Sequence, residues 1–210
     1  MNKRDKELWK VSITPNTLFL IIAAIVVNSL ARWIVNALNA PFWLDTLGTC
    51  LAAVIGGPIV GVAAGILQNI LYGMLFQSLT VVYFVCQIMV GLIVGILFYY
   101  GSLRNFSGIL IAGFLLGLLM VLVCTPINLF FNGGVSDNVW GDELFDGAVA
   151  QGVPVWIASF LAELIVEIPD KILTIILTAV IYNLLPEKWL EFLRGKMSFQ
   201  IPKRNGEKHD

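Results

Sequence analysis

From residue 46 to residue 103 the chain contains no Lys, Arg, Asp or Glu, an uninterrupted run of 58 residues. After Arg104 a second uncharged run covers residues 105–136. A helix that crosses the hydrocarbon core of a bilayer uses about 20 apolar residues, so the first run alone has room for nearly three crossings. The surface of a soluble domain is dense in charge, whereas here 58% of all residues are hydrophobic and only 13% are charged. The chain therefore reads as an all-α integral membrane protein that crosses the bilayer several times.

The breaks between apolar segments set the expected organisation. Residues 1–15 form a basic, polar arm with Lys3, Arg4, Lys6 and Lys10. The first apolar segment, 16–37, is interrupted by Arg32 and lacks a small-residue cleavage pattern, so it reads as a span and not as a cleaved leader. Residues 44–55 are helical in character but only about a dozen long, ended by Gly56-Gly57-Pro58, and read as a short second span. Pro58 suits the first turn of the next helix, which reaches about residue 76. Further spans are expected over 79–100 and 108–130. An acidic, Gly-rich connection follows over 132–153, and the last span starts near Asp170.

Residues 154–184 are too long for one straight crossing at 1.5 Å per residue, and Pro169 permits a break. Two crossings here give seven spans; one gives six. Lys and Arg lie before the first span, at Arg104 and after residue 187, and the connections of opposite parity contain none, apart from Lys171 at the start of the last span. This asymmetry favours six spans in the cell membrane with both termini cytoplasmic. The expected fold is a six-transmembrane-helix bundle with a short second span and a lid-like segment, 154–168, before the last span. It divides into a cytoplasmic interfacial arm at 1–15, a transmembrane substrate-binding domain at 16–186 and a cytoplasmic basic tail at 187–210. The pairs Gly61/Gly65, Gly91/Gly95 and Gly113/Gly117 are GxxxG spacings that allow close helix approach.

Polar side chains at membrane depth need partners or a purpose. Asp45 is read either as a pocket wall or as an N-cap for the short helix. Asn69 and Tyr72 share one helix face, and Tyr83 and Gln87 lie one turn apart; all four serve either ligand contact or interhelical hydrogen bonding. Glu163, Glu167, Asp170 and Lys171 form the densest chemical feature, with Glu167 and Lys171 at pairing distance. Three carboxylates against one ammonium suit a donor-rich or cationic substrate, unless the segment lies at the interface and its acids face water. Arg32 suits an ion pair with Asp45 or Glu167. Trp43 and Trp140, in the outer connections, are placed to stack on a flat ring or to anchor the interface.

Other chemistries find little support. Cys50, Cys86 and Cys124 are far apart and read as small packing residues, neither disulfide-bonded nor metal-binding. The single His209 lies in a polar tail, so no nucleophile–base arrangement or metal site is expected, and no Walker A loop is present. The expectation is a binding protein, not an enzyme, with no cofactor of its own and no nucleic-acid partner.

Three stretches carry a family resemblance: Pro41-Phe42-Trp43-Leu44-Asp45-Thr46-Leu47-Gly48-Thr49, Gly56-Gly57-Pro58-Ile59-Val60-Gly61-Val62-Ala63-Ala64-Gly65 leading to Asn69, and Glu167-Ile168-Pro169-Asp170-Lys171. The chain resembles the substrate-binding S components of energy-coupling factor (ECF) transporters, over about residues 16–186. The resemblance implies a six-helix fold that captures a water-soluble vitamin or precursor near the outer face, covered by the connections at 39–45 and 132–169. It also implies partners: a membrane coupling protein and two cytoplasmic ATPase subunits, which would use the ATP, with lipid around the helices. The AxxxA docking pair frequent on span 1 of that family is absent, since Ala24 is followed by Asn28 and Ala31 by Val35. Pyridoxine-, hydroxymethylpyrimidine- and thiamine-like ligands all suit an aromatic, acidic pocket. A membrane sensor module and a structural membrane-assembly protein are the alternatives; the lack of a signalling domain after residue 185 speaks against the sensor.

Overall fold

The computed structural model describes residues 8–9 and 11–195; the remainder of the basic arm and tail, including His209, lies outside the described residues. The chain is all-α, with no strand among the described residues. Its helices are α1 (Pro15–Ala37), α2 (Leu47–Gly56), α3 (Pro58–Leu75), α4 (Phe84–Tyr99, entered through a 3-10 turn at Ser78–Tyr83), α5 (Phe106–Asn132), α6 (Val139–Ala150), α7 (Val155–Leu184) and α8 (Glu187–Arg194). Among the described residues, four helical segments are long and apolar enough to cross a membrane: Pro15–Ala37, Pro58–Leu75, Ser78–Tyr99 and Phe106–Asn132.

Their side-chain distribution is inverted relative to a soluble bundle. On α1, Leu18, Ile22, Val26, Leu30 and Trp33 form an exposed apolar stripe, while Thr17, Asn28 and Arg32 are buried. A helix that turns apolar groups outward and polar groups inward is stable in lipid and costly in water. Pro15 at the first helical position and a capping box between Thr14 and Thr17 start this helix.

The short second helix is the centre of the molecule. Every residue of α2 is buried, enclosed by α1, α3, α4 and α7. Asp45 is not its N-cap. That position belongs to Thr46, which makes no side-chain capping bond. A side chain from the neighbouring helix does this work instead: Asn28 Oδ1 accepts from the Gly48 N–H at 2.6 Å. α1 approaches so closely here that a Cβ on Gly48 would collide with the Ala24 carbonyl.

The glycine pairs mark real helix contacts. A Cβ on Gly91 would lie 2.6 Å from the Val62 nitrogen, and one on Gly95 would lie 2.7 Å from Pro58 Cα, so α4 rests directly on α3. Gly113 and Gly117 similarly seat α5 on Ile172 and Ile168 of α7, in the most extensive helix pairing of the fold.

That pairing overturns one expectation. Residues 154–168 are not a lid separate from the segment after Pro169; Val155–Leu184 is one 30-residue helix with Pro169 inside it. Proline in a helix interior costs about 3 kcal/mol, but Ile168 and Ile172 on either side of it are held by α5. Packing on both flanks keeps the helix continuous. The acidic connection, in turn, is partly ordered as α6, capped by Asn138 through the Trp140 and Gly141 N–H groups and packed on α7 through Phe145, Ala158 and Ala162. At the other end, α8 buries Leu190 and Leu193 and exposes Trp189 and Phe192, so the start of the expected tail is an amphipathic helix.

Candidate binding cavity

Glu163, Glu167, Asp170 and Lys171 fall on the buried side of α7, none more than 5% exposed. Glu167 Oε2 lies 2.8 Å from Lys171 Nζ, the expected pair one turn apart. Asp170 Oδ2 meets the same ammonium at 2.5 Å. The second oxygen of Asp170 accepts the backbone N–H groups of Trp43 and Leu44 at 3.0 and 2.9 Å. Leu44 has φ 47°, a left-handed conformation that is unfavourable for a branched side chain. Asp170 thus pins a strained turn of the 38–46 connection onto the last helix.

That turn forms one wall of a cavity of about 620 Å³ of space between atoms, part of it open to the exterior. Eight of the expected site residues line it: Trp43, Asp45, Asn69, Tyr83, Gln87, Glu163, Glu167 and Lys171. Three do not. Asp170 acts through the turn it pins, as described. Tyr72 lies under the Arg32 guanidinium, 4.2 Å from its ring centroid, and holds that cation from outside the cavity. Trp140 is more than half exposed and donates through Nε1 to the Asn39 carbonyl at 2.9 Å, fastening α6 to the 38–46 connection.

The mouth is tied by a second set of bonds. Arg32 pairs with Asp45 at 3.8 Å and donates to Gln77 Oε1 at 3.1 Å. Gln77 in turn donates to Asp137 Oδ2 at 2.8 Å. Nearby, Asp142 Oδ1 accepts from the Ser136 N–H and hydroxyl; burial pushes this carboxyl up from its ordinary range, and the Ser136 bonds oppose the rise.

Within the cavity, most polar atoms already have protein partners. Gln87 Oε1 accepts from Thr49 at 2.6 Å, and its amide donates to Asn69 and to the Asp45 carbonyl, both at 3.2 Å. Thr49 also accepts from Asn28 at 3.0 Å, so one chain of bonds links α1, α2, α4 and α3. Asn69 and Gln87 therefore serve as interhelical connectors as well as lining the cavity. On the opposite wall Tyr83 donates to Asn128, whose amide donates to Glu163 Oε1 at 2.5 Å.

Three buried polar atoms of cavity-lining residues have no protein partner: Glu163 Oε2, the Thr46 hydroxyl and Arg32 Nε. An acceptor, a hydroxyl and a cationic donor thus remain available to a ligand. The formal charge of the lining is net negative, with Asp45, Asp137, Glu163 and Glu167 against Arg32 and Lys171.

The residues added by the structure are Thr46, Thr80, Asn128, Ser136 and Asp137, together with Leu79, Cys86, Cys124 and Met120. Asn128 was detectable as a lone amide in a long apolar run. The small hydroxyls and the thiols carry no such signal, because Ser, Thr and Cys are ordinary constituents of packed apolar helices.

The fold and cavity define an all-α chain suited to a membrane, with a polar compartment partly open to the exterior. Comparison with known proteins yields no match: no family model fits the chain, and no curated protein or solved structure is significantly similar to it.

Proposed function

We propose that this chain is the substrate-binding S component of an ECF-type transporter, capturing a water-soluble vitamin or precursor for ATP-driven uptake. The observation that carries the reading is that Glu163, Thr46 and Arg32 all line one cavity and each has a buried polar atom (Oε2, Oγ1 and Nε) without a protein partner. A buried polar atom left unpaired costs on the order of 1–3 kcal/mol; a ligand that offers two N–H or O–H donors and an acceptor recovers that cost. Trp43 and Tyr83 on the cavity walls suit stacking on a flat heteroaromatic ring such as those of pyridoxine, hydroxymethylpyrimidine or thiamine.

The three stretches that resemble S components support the same reading by their location. The first supplies the turn pinned by Asp170 and the start of α2, the second forms α3 up to Asn69, and the third holds the Glu167–Lys171–Asp170 cluster. In this reading the chain crosses the cell membrane six times, with α2 as the short second crossing and α7 as the last, and both termini are cytoplasmic. α6 and the 38–46 connection then close the outer side. The chain performs no covalent chemistry. Release in this reading depends on a membrane coupling protein and two ATPase subunits, as the resemblance to S components implies.

Native mass spectrometry of the purified full chain in detergent tests the proposal. A stoichiometric organic ligand of vitamin size is the expected result. Only lipid and detergent adducts, together with no thermal stabilisation by pyridoxine, hydroxymethylpyrimidine or thiamine, would overturn it.

A further inference from the structure

Where α5 faces α7, three potential metal donors converge on the deep wall of the cavity: the Cys124 thiol and the carboxylates of Glu163 and Glu167, with ligand atoms all within 4.8 Å of one another. We propose that these residues form a site for one divalent cation of borderline softness, of the Zn²⁺ or Co²⁺ class. The inference stands on this geometry alone and holds whether or not the cavity serves transport.

The orientation of each carboxylate supports the assignment. Glu163 is 2% exposed; its Oε1 is occupied by the Asn128 amide at 2.5 Å, and its Oε2 has no protein partner. Glu167 divides its oxygens in the same manner. Oε2 is held by Lys171 at 2.8 Å, while Oε1 faces Cys124 Sγ at 3.9 Å. Each carboxylate is thus oriented by one bond, Glu167 presents its other oxygen to the thiol, and Glu163 keeps its other oxygen free of protein partners. Outer partners of this kind are what fix ligand geometry in metal sites.

Distances and charge agree with a four-coordinate ion. Metal–sulfur and metal–oxygen bonds of about 2.3 and 2.0–2.2 Å in a tetrahedron place ligand atoms roughly 3.3–3.8 Å apart. The observed separation of Cys124 Sγ from Glu167 Oε1 is already near that edge length. Cys86 Sγ lies 3.4 Å from Cys124 Sγ but outside the set of donors within 4.8 Å of one another, so the fourth position is left to water or a ligand. Lys171 is engaged by Asp170 as well as Glu167, so it does not neutralise Glu163; a dication does. Binding breaks the Cys124 S–H bond, forms a sulfur–metal bond and releases the proton to solvent. A thiolate in the set disfavours Mg²⁺ and Ca²⁺, which take oxygen ligands.

Cobalt titration of the full-length protein in detergent, after chelator treatment and dialysis, tests the site. One Co²⁺ per chain is expected, with a thiolate-to-cobalt charge-transfer absorption, displaced by Zn²⁺ and unaffected by excess Mg²⁺. Cys124→Ser should abolish that absorption, and Glu163→Gln should weaken binding at least 10-fold, while Cys50→Ser, buried in α2 away from the cavity lining, should bind as the wild type does. Size-exclusion profiles and melting curves identify any variant that does not fold, and Glu163→Gln preserves side-chain shape if Cys124→Ser fails. Absence of saturable binding, cobalt bound without a thiolate band, or unchanged affinity in Glu163→Gln would each overturn the proposal. A vitamin-sized ligand retained by metal-free protein would leave the small-molecule reading standing on its own.

Discussion

Asp170 offers the sharpest test of how the cavity is built. It is completely buried, and its two oxygens serve three donors: the Trp43 N–H, the Leu44 N–H and the Lys171 ammonium. Asp170→Ala leaves two backbone donors without an acceptor and leaves Lys171 with Glu167 alone. Removing one partner from a buried ion pair costs about 3–5 kcal/mol. The freed donors are only partly buried, so solvent can satisfy them in part and the lower half of that range is expected. Asp170→Asn retains a carbonyl oxygen for both N–H groups and loses only the charge, which reduces the expected cost to about 1–2 kcal/mol. For a chain of this size 1 kcal/mol corresponds to roughly 2–4 °C, so Asp170→Ala should lower the melting temperature by on the order of 10 °C and Asp170→Asn by less than half of that. The protein contains its own probe: Cys50, Cys86 and Cys124 are all buried, and a fluorogenic maleimide reports their exposure as the purified protein is heated in detergent. Ligand affinity should fall in the same order, since the turn that carries Trp43 is released. An Asp170→Ala protein that melts with the wild type would refute the assignment of Asp170 as the anchor of that turn.

Two further outcomes are expected. The proposed orientation places α6 outside and the turn between α4 and α5 inside. Both Glu143 and Arg104 are exposed, so on intact cells a membrane-impermeant maleimide should label Glu143→Cys and spare Arg104→Cys; the opposite pattern would invert the topology. Gly117→Leu should prevent a monodisperse protein from being recovered, because even a Cβ at this position would lie 2.7 Å from Ile168 Cα, and normal recovery would show that α5 and α7 separate without penalty.

Much of the membrane character is legible in local sequence, because it depends on hydrophobicity summed over windows as long as a bilayer is thick. The ten-residue α2, the turn at Gly56-Gly57-Pro58 and the GxxxG contacts are read the same way, since glycine and proline act on their immediate backbone. The Glu167–Lys171 pair follows from helix periodicity alone. The Arg32–Asp45 pair was one of two options, because local spacing does not show which carboxylate a long side chain will reach.

Other features depended on partners far away in the chain. Pro169 permits a break, and only the seating of Ile168 and Ile172 against Gly117 and Gly113 keeps α7 continuous. Asp45 has the residue type and position of an N-cap, yet Asn28 on another helix bonds the start of α2 and leaves Asp45 to Arg32. Asp170 resembles a ligand residue by its charge and depth, but its oxygens are used by the 38–46 turn and Lys171.

The uncharged runs by themselves determined that this chain forms apolar helices with polar groups drawn inward, since the cost of charge in lipid acts on every residue separately. Which of those inward polar groups hold helices together and which remain free for a ligand was decided only by tertiary structure. Asn69, Gln87 and Glu163 are alike in sequence as polar residues in apolar helices. Asn69 and Gln87 bond to each other across two helices while Glu163 keeps one oxygen without a partner, and that difference is set by helices that meet tens of residues apart in the chain.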